Sequence, residues 1–172
     1  LSELLGIAYY DQEILSEISK RTSLSEQYVQ AIVEKRPSFS FPIHIGQSFY
    51  PLGNPAFEQT MTVYQEQARI ITEMAAKSDC VIVGRCADHI LRAFKPFRIF
   101  VYADMDSKMK RCREKGPEDE QLSDKELRQK IAGIDKKRAK YYEFYTGHPW
   151  GDKLNFDLCL NTTRTDIKEI VP

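Results

Sequence analysis

A chain of 172 residues fits one domain at the usual size of roughly 100–200 residues, and 42% hydrophobic residues are enough for a core. Lys plus Arg and Asp plus Glu are equal at 25 each. The resulting zero net charge argues against a general nucleic-acid or anionic-membrane binder, which would carry a basic excess. No apolar run nears the ~20 residues of a transmembrane span, and no signal-peptide pattern is present.

In chain order, Leu1–Leu5 followed by Gly6 reads as the last turns of a helix with glycine just beyond its end. Ile7–Tyr10 reads as a short strand, and Asp11 as the cap of a helix through about Lys20. Ser23-Leu24-Ser25-Glu26 is a capping-box pattern for a helix that stops before Pro37. Residues 37–53 mix prolines, glycines and aromatics without a period and read as an excursion. Asn54-Pro55 opens a helix to about Lys77. Cys80–Val83 is a run of small or β-favouring apolar residues, expected as a strand buried on both faces. Gly84-Arg85 follows, then a short helix over Ala87–Ala93 and a second buried-looking strand over Phe97–Tyr102. Asp106 is expected to cap the next helix, and Gly116-Pro117 to close it. Ser123-Asp124-Lys125-Glu126 is a second capping box. It starts a long helix carrying Leu127, Ile131, Ile134, Arg138, Tyr141 and Tyr145 at three- and four-residue steps. Phe156–Leu160 is the last strand, followed by Asn161–Arg164 and a terminal helix. Strands alternating with helices predict an α/β fold: a mainly parallel sheet of about five strands in three layers, forming a single domain over 1–172.

Cys80, Cys86, Cys112 and Cys159 form no C-x-x-C, which predicts reduced thiols in a cytoplasmic protein. No Cys/His pair has zinc-ligand spacing. Arg85, just past the end of a strand, stands where open α/β sheets bind ligands, and its planar fork suits a phosphate. A surface arginine in a βα loop would look the same. Lys136-Lys137-Arg138 is either a second basic group or a solvated helix face, and Asp135 with Arg138 could be an ordinary i,i+3 pair. Asn161-Thr162 and Asp11 could be turn and cap residues. Their common position is more informative, because Asp11, Arg85 and Asn161 all follow strand ends and are expected at one sheet edge. Arginines there, beside a basic helix, suit phosphoryl transfer, which needs alignment and charge neutralisation. Trp150 is expected to pack in the core, and the tyrosines of "YYEFY", which could stack on bases, are expected to do the same from their helical spacing.

Four segments in order, "LLGIAYYDQEIL", "VIVGRCADHIL", "IAGIDKKRAKYYEFYTGHPWGD" and "FDLCLNTTRTDIKEIV", resemble the cytidylate-kinase-like family of P-loop nucleoside-monophosphate kinases. The second and third are the specific ones. The resemblance implies a P-loop NTPase sheet, nucleotide substrates, ATP and Mg²⁺. It places Asp11 by the monophosphate acceptor and Arg85 on the acceptor phosphate. Lys137 and Arg138, in a lid-like region over 118–150, would close over the transferring phosphoryl group. Asp135 would lie near the acceptor base or orient that lid. Asn161 and Thr162 would flank the adenine of ATP, and residues 37–53 would form the mobile acceptor-binding insert. Aromatic-rich residues 39–57 could cover a second copy in a homo-oligomer.

The chain departs from the family pattern at three points. No G-x-x-x-x-G-K-[ST] phosphate loop precedes Leu1, so a strand and loop are expected upstream of it. Cys86 stands where cytidylate kinases carry an aspartate near the acceptor sugar, and Tyr64 where they carry a base-contacting arginine, with Arg69 the nearest arginine on that helix. The leading expectation is transfer of the ATP γ-phosphoryl group to a nucleoside monophosphate, CMP first among them. The alternatives are a kinase of another small acceptor, or a non-catalytic nucleotide-binding or dimerisation protein.

Overall fold

A computed structural model describes residues 1–34, 55–116 and 122–165. The expected insert 37–53, the aromatic stretch to residue 57, Asn54, Pro117 and the terminal helix lie wholly or partly outside these residues. The chain forms two compact units, Ser2–Phe94 and the residues from Lys95 onward.

The first unit contains α1 (Ser2–Leu5), β1 (Ala8–Tyr10), α2 (Glu13–Thr22), α3 (Glu26–Glu34), α4 (Pro55–Lys77), β2 (Cys80–Ile82) and α5 (Ala87–Ile90), then a 3₁₀ turn over Arg92–Phe94. Its core is aliphatic. α4 packs on α2 and α3, and Val63, Ile70 and Ile71 of α4 are fully buried with Ile14, Ile18 and Val29. Each such side chain contributes about 1.5–3 kcal/mol through burial. Gly6 (φ 64°) ends α1 in the left-handed region as expected.

The second unit contains β3 (Ile99–Tyr102), α6 (Met105–Lys115), α7 (Asp124–Thr146), a 3₁₀ turn over Lys153–Asn155, and β4 (Leu158–Asn161). The capping box at the start of α7 is present in both directions: Ser123 Oγ accepts from Glu126 N–H (3.4 Å), and Ser123 N–H donates to Glu126 Oε2 (2.9 Å). Leu127, Ile131, Tyr141 and Tyr142 are its buried face. Ile134 and Arg138, on the expected stripe, are exposed.

The expectation of one five-stranded, three-layer sheet is overturned. Among the described residues, which are mainly helical, four strands pair two by two in parallel, β1 with β2 (Tyr10 opposite Ile82) and β3 with β4 (Tyr102 opposite Asn161). The strand segments were legible, but β-propensity marks a strand without saying which neighbours it bonds to. Nor are the strands buried on both faces. Cys80, Val81 and Ile82 are half-buried and Val83 is exposed, as are Ile99, Val101 and Tyr102. A two-stranded pair leaves an unpaired edge on each strand, so an apolar run within it need not be covered.

Three caps also move. Ser25, rather than Ser23, caps α3, its Oγ accepting from Tyr28 N–H (3.3 Å), while Ser23 ends α2 in the left-handed region. Asp104, rather than Asp106, caps α6 through Ser107 N–H (2.8 Å). Gln12, rather than Asp11, stands at the α2 N-cap position, without a side-chain cap bond, and the Asp11 N–H donates to Glu13 Oε2 (3.0 Å). No helix among the described residues is long and apolar enough to cross a membrane.

Candidate functional site

Arg85 lies in the most unusual backbone of the first unit. Gly84, Arg85 and Cys86 are consecutive left-handed residues, with φ of 68°, 58° and 55°. For a residue with a Cβ this region costs roughly 1–2 kcal/mol, so Arg85 and Cys86 are held there by their surroundings. The chain enters from β2, where Val83 N–H bonds Tyr10 O (3.1 Å), and leaves into α5. Gly84 O accepts from Ala87 N–H (3.0 Å), and Cys86 O from the amides of His89 (3.0 Å) and Ile90 (2.9 Å). The Arg85 carbonyl accepts from the Nε2 amide of Gln67 on α4 (3.0 Å), a side chain with no exposed surface.

Because β1 and β2 are parallel with Tyr10 opposite Ile82, Asp11 and Arg85 follow the same end of this strand pair. Both are half-buried. Beside Asp11, the Tyr9 phenol is held above its ordinary value, first by partial burial and then by the charges of Asp11 and Glu13.

Cys86 is 4% exposed, and burial, with Asp88 adding to it, pushes its thiol up to about 12. Tyr64 is pushed up to about 12 as well, first by burial and then by Cys86. Both are neutral at ordinary pH. Tyr64 also lines a groove of about 460 Å³ between α4 and α5, with Arg69, Glu73, His89 and Arg92 around it. Arg85 and Asp11 are not in its lining. Arg69 is engaged there by Glu73 (3.1 Å), which Arg21 also holds through a two-pronged contact (2.7 and 3.1 Å).

In the second unit, Lys136, Lys137 and Arg138 stand exposed on α7. Asp135 beneath them is half-buried and receives Lys108 of α6 at 2.6 Å, with Arg138 at 3.7 Å. The expected i,i+3 pair is thus the weaker arm of a three-residue cluster, and Asp135 ties α7 to α6.

The segment after β4 is fixed from α6. Arg111 Nη1 donates to Thr162 Oγ1 (3.0 Å), and Nη2 to the carbonyls of Thr162 and Thr165. Thr162 also donates its N–H (2.8 Å) and Oγ1 (3.1 Å) to Tyr102 O and is 4% exposed. Asn161 is exposed, and its Oδ1 accepts from Thr163 N–H (3.0 Å).

The "WGD" stretch is structural. Half-buried Trp150 meets Phe100 edge-on at 5.4 Å, and Phe100 also packs on Phe156 at 4.9 Å. Gly151 (φ 80°) lies so close that a Cβ there would come within 2.9 Å of the Phe100 ring. Asp152 caps the following 3₁₀ turn through Leu154 N–H (3.1 Å). Tyr141 and Tyr145 pack at 4.7 Å, in keeping with a packing role.

With this geometry in place, comparison with known proteins decides the family. The model of the cytidylate kinase-like family matches residues 1–164. The chain belongs to this family. Membership carries a kinase-like function and the use of nucleotides in general. A crystal structure of an uncharacterized protein from Eubacterium ventriosum is similar, with 25% identity and a TM-score of 0.65, over 98% of this chain and 82% of that one. No curated protein matches the sequence.

Within this family member, sequence reasoning singled out Arg85, Asp11, Asp135, Lys137, Arg138, Asn161 and Thr162. The structure brings Asp11 and Arg85 to one strand end, and Asp135 to Arg138. Three supporting residues were missed: Gln67, Lys108 and Arg111. Gln67 had a readable signal, since it interrupts the buried stripe Val63, Gln67, Ile70, Ile71 at helical spacing. Lys108 and Arg111 had none, because their partners are 27 and 51 residues away.

Proposed function

We propose that the protein transfers the γ-phosphoryl group of ATP to a nucleoside monophosphate, with CMP the first acceptor to test. The observation that carries this reading is the left-handed Gly84-Arg85-Cys86 turn, which sets a guanidinium at the strand end shared with Asp11. Strained non-glycine backbone marks sites where geometry matters more than stability. Arginine matches a phosphate with two parallel hydrogen bonds.

In this reading Arg85 binds the acceptor phosphate and neutralises it, and Asp11 supports the acceptor. Lys137 and Arg138 offset charge on the transferring group. Asn161 flanks the adenine, and Thr162 shapes that segment. Phosphoryl transfer asks the protein chiefly for position and charge. Mg²⁺ would neutralise charge on the transferring group in such a reaction. The described residues contain no cluster of three His, Cys, Asp or Glu able to hold a metal, so none of them is assigned to it.

The test is turnover of ATP with a panel of CMP, UMP, AMP and GMP, by parent and Arg85→Ala proteins. The substitution should raise the acceptor KM, lower kcat, and reduce kcat/KM by about 100-fold. An unchanged kcat/KM removes Arg85 from the mechanism.

A second reading, a different small phosphorylated or hydroxylated acceptor, is favoured by the neutral, buried Cys86 beside Tyr64. Those two positions lack the charged pair expected for cytosine nucleotides. Turnover with CMP alone would sink it.

A further inference from the structure

We propose that Gln67 is a positioning residue for Arg85, acting through the backbone of the left-handed turn. This rests on the reading of Arg85 given above. Gln67 is the one polar side chain among the seven largest fully buried ones of the described residues. It sits on α4 between Val63 and Ile70, both aliphatic and fully buried. An amide there is costly to bury unless both its needs and its partner's are met. Its Nε2 donates to Arg85 O at 3.0 Å.

The bond falls on the residue whose backbone most needs holding. The carbonyls on either side, Gly84 O and Cys86 O, take amides from the chain that follows them. The Arg85 carbonyl takes a donor from a different helix. Two non-glycine residues in succession are left-handed here, and α5, at four residues, is too short to hold them by itself. Gln67 therefore ties the turn to α4, whose neighbours Val63, Ile70 and Ile71 are fixed in the aliphatic core. A peptide plane held at Arg85 sets the direction of its Cα–Cβ bond, and with it the reach of the guanidinium.

The test uses Gln67→Met, which keeps length and volume but removes the donor, with Gln67→Leu as a second variant. Ile18→Val, in the same core but on α2, serves as a control for general loss of packing. The first readout is amide hydrogen exchange. Gln67→Met should speed exchange at the Ala87 amide, which bonds Gly84 O, about tenfold more than at the Val83 amide, which bonds Tyr10 O. Ile18→Val should move both alike. The second readout is turnover with CMP. Gln67→Met should raise the CMP KM about tenfold with kcat changed far less, and should add nothing in an Arg85→Ala background.

Equal acceleration at Ala87 and Val83, or none, overturns the proposal, because Gln67 would then act on the whole core or not at all. An equal, additive loss in the Arg85→Ala background overturns it too. If the parent protein turns over none of the nucleotides, it is the phosphoryl-transfer reading that fails, and the exchange measurement still decides whether Gln67 holds the turn.

Discussion

The two units hold their candidate residues in opposite ways. In Ser2–Phe94, Arg85 is fixed from behind by the aliphatic core through Gln67, and its turn is held at every carbonyl. In the unit from Lys95 onward, Lys137 and Arg138 stand out from a helix surface, and the nearest restraint is Asp135 with its partner Lys108. The largest fully buried side chains of the described residues all lie in the first unit. The second relies more on aromatic contacts around Phe100 and on charged pairs. Rigid placement comes from burial, and charge alone leaves a side chain mobile.

The largest expected effect tests the core contrast directly. Ile70→Ala should cost about 2–5 kcal/mol in urea unfolding, the usual range for a fully buried isoleucine. Ile131→Ala, at 7% exposure, should fall at the low end of that range. Equal costs would erase the distinction between the units.

A smaller effect sharpens the picture of α7. Lys108→Met removes the 2.6 Å contact to Asp135. It should change stability by no more than about 1 kcal/mol. It should still lower turnover about tenfold, because Asp135 is then free to pair fully with Arg138 and withdraw its charge. Unchanged turnover would mean that the pair serves packing only.

The effect of pH separates the units again. Arg98, through its side chain and its backbone N–H, holds the Asp157 carboxyl down from 3.8 to about 2. The folded form binds this proton less readily than the unfolded chain, so the contribution is fully present above pH 4 and is lost as pH falls toward 2. Asp157→Asn should therefore lower Tm at pH 6 but flatten its fall between pH 4 and 2. An unaltered acid slope would show that the pair contributes nothing to acid stability.

The mildest test is chemical. Exposed Cys112 should react with a maleimide first, and half-buried Cys80 and Cys159 more slowly. Cys86, buried and held as a thiol, should react only on unfolding. Early modification of Cys86, read by peptide mass, would show that the turn opens readily.

What the sequence made legible was local. Gly6, the Ser123–Glu126 capping box and all four strand segments follow from residue preferences over a few positions. The single sheet did not survive, because pairing depends on bonds between distant segments that alternation cannot specify. The capping boxes show the same limit at short range: Ser23-x-x-Glu26 has the pattern, yet Ser25 makes the bond. At the candidate site, Arg85 was visible from its place after a glycine. What fixes it was not visible, since it depends on a helix 18 residues upstream. Nor were the bonds of Thr162 visible: its hydroxyl and backbone amide both serve Tyr102, and Arg111 reaches its hydroxyl and its carbonyl, all from more than fifty residues away.

Gly151 carries a lesson for reading relatives of this chain. Its contact with Phe100 leaves no room for a side chain, and its neighbours Trp150 and Asp152 are engaged in packing and capping. The tripeptide is therefore a signature of shape. A relative that keeps "WGD" while replacing Arg85 would be expected to retain this packing and lose the group proposed here to bind phosphate, so the two motifs sort relatives by architecture and by chemistry separately.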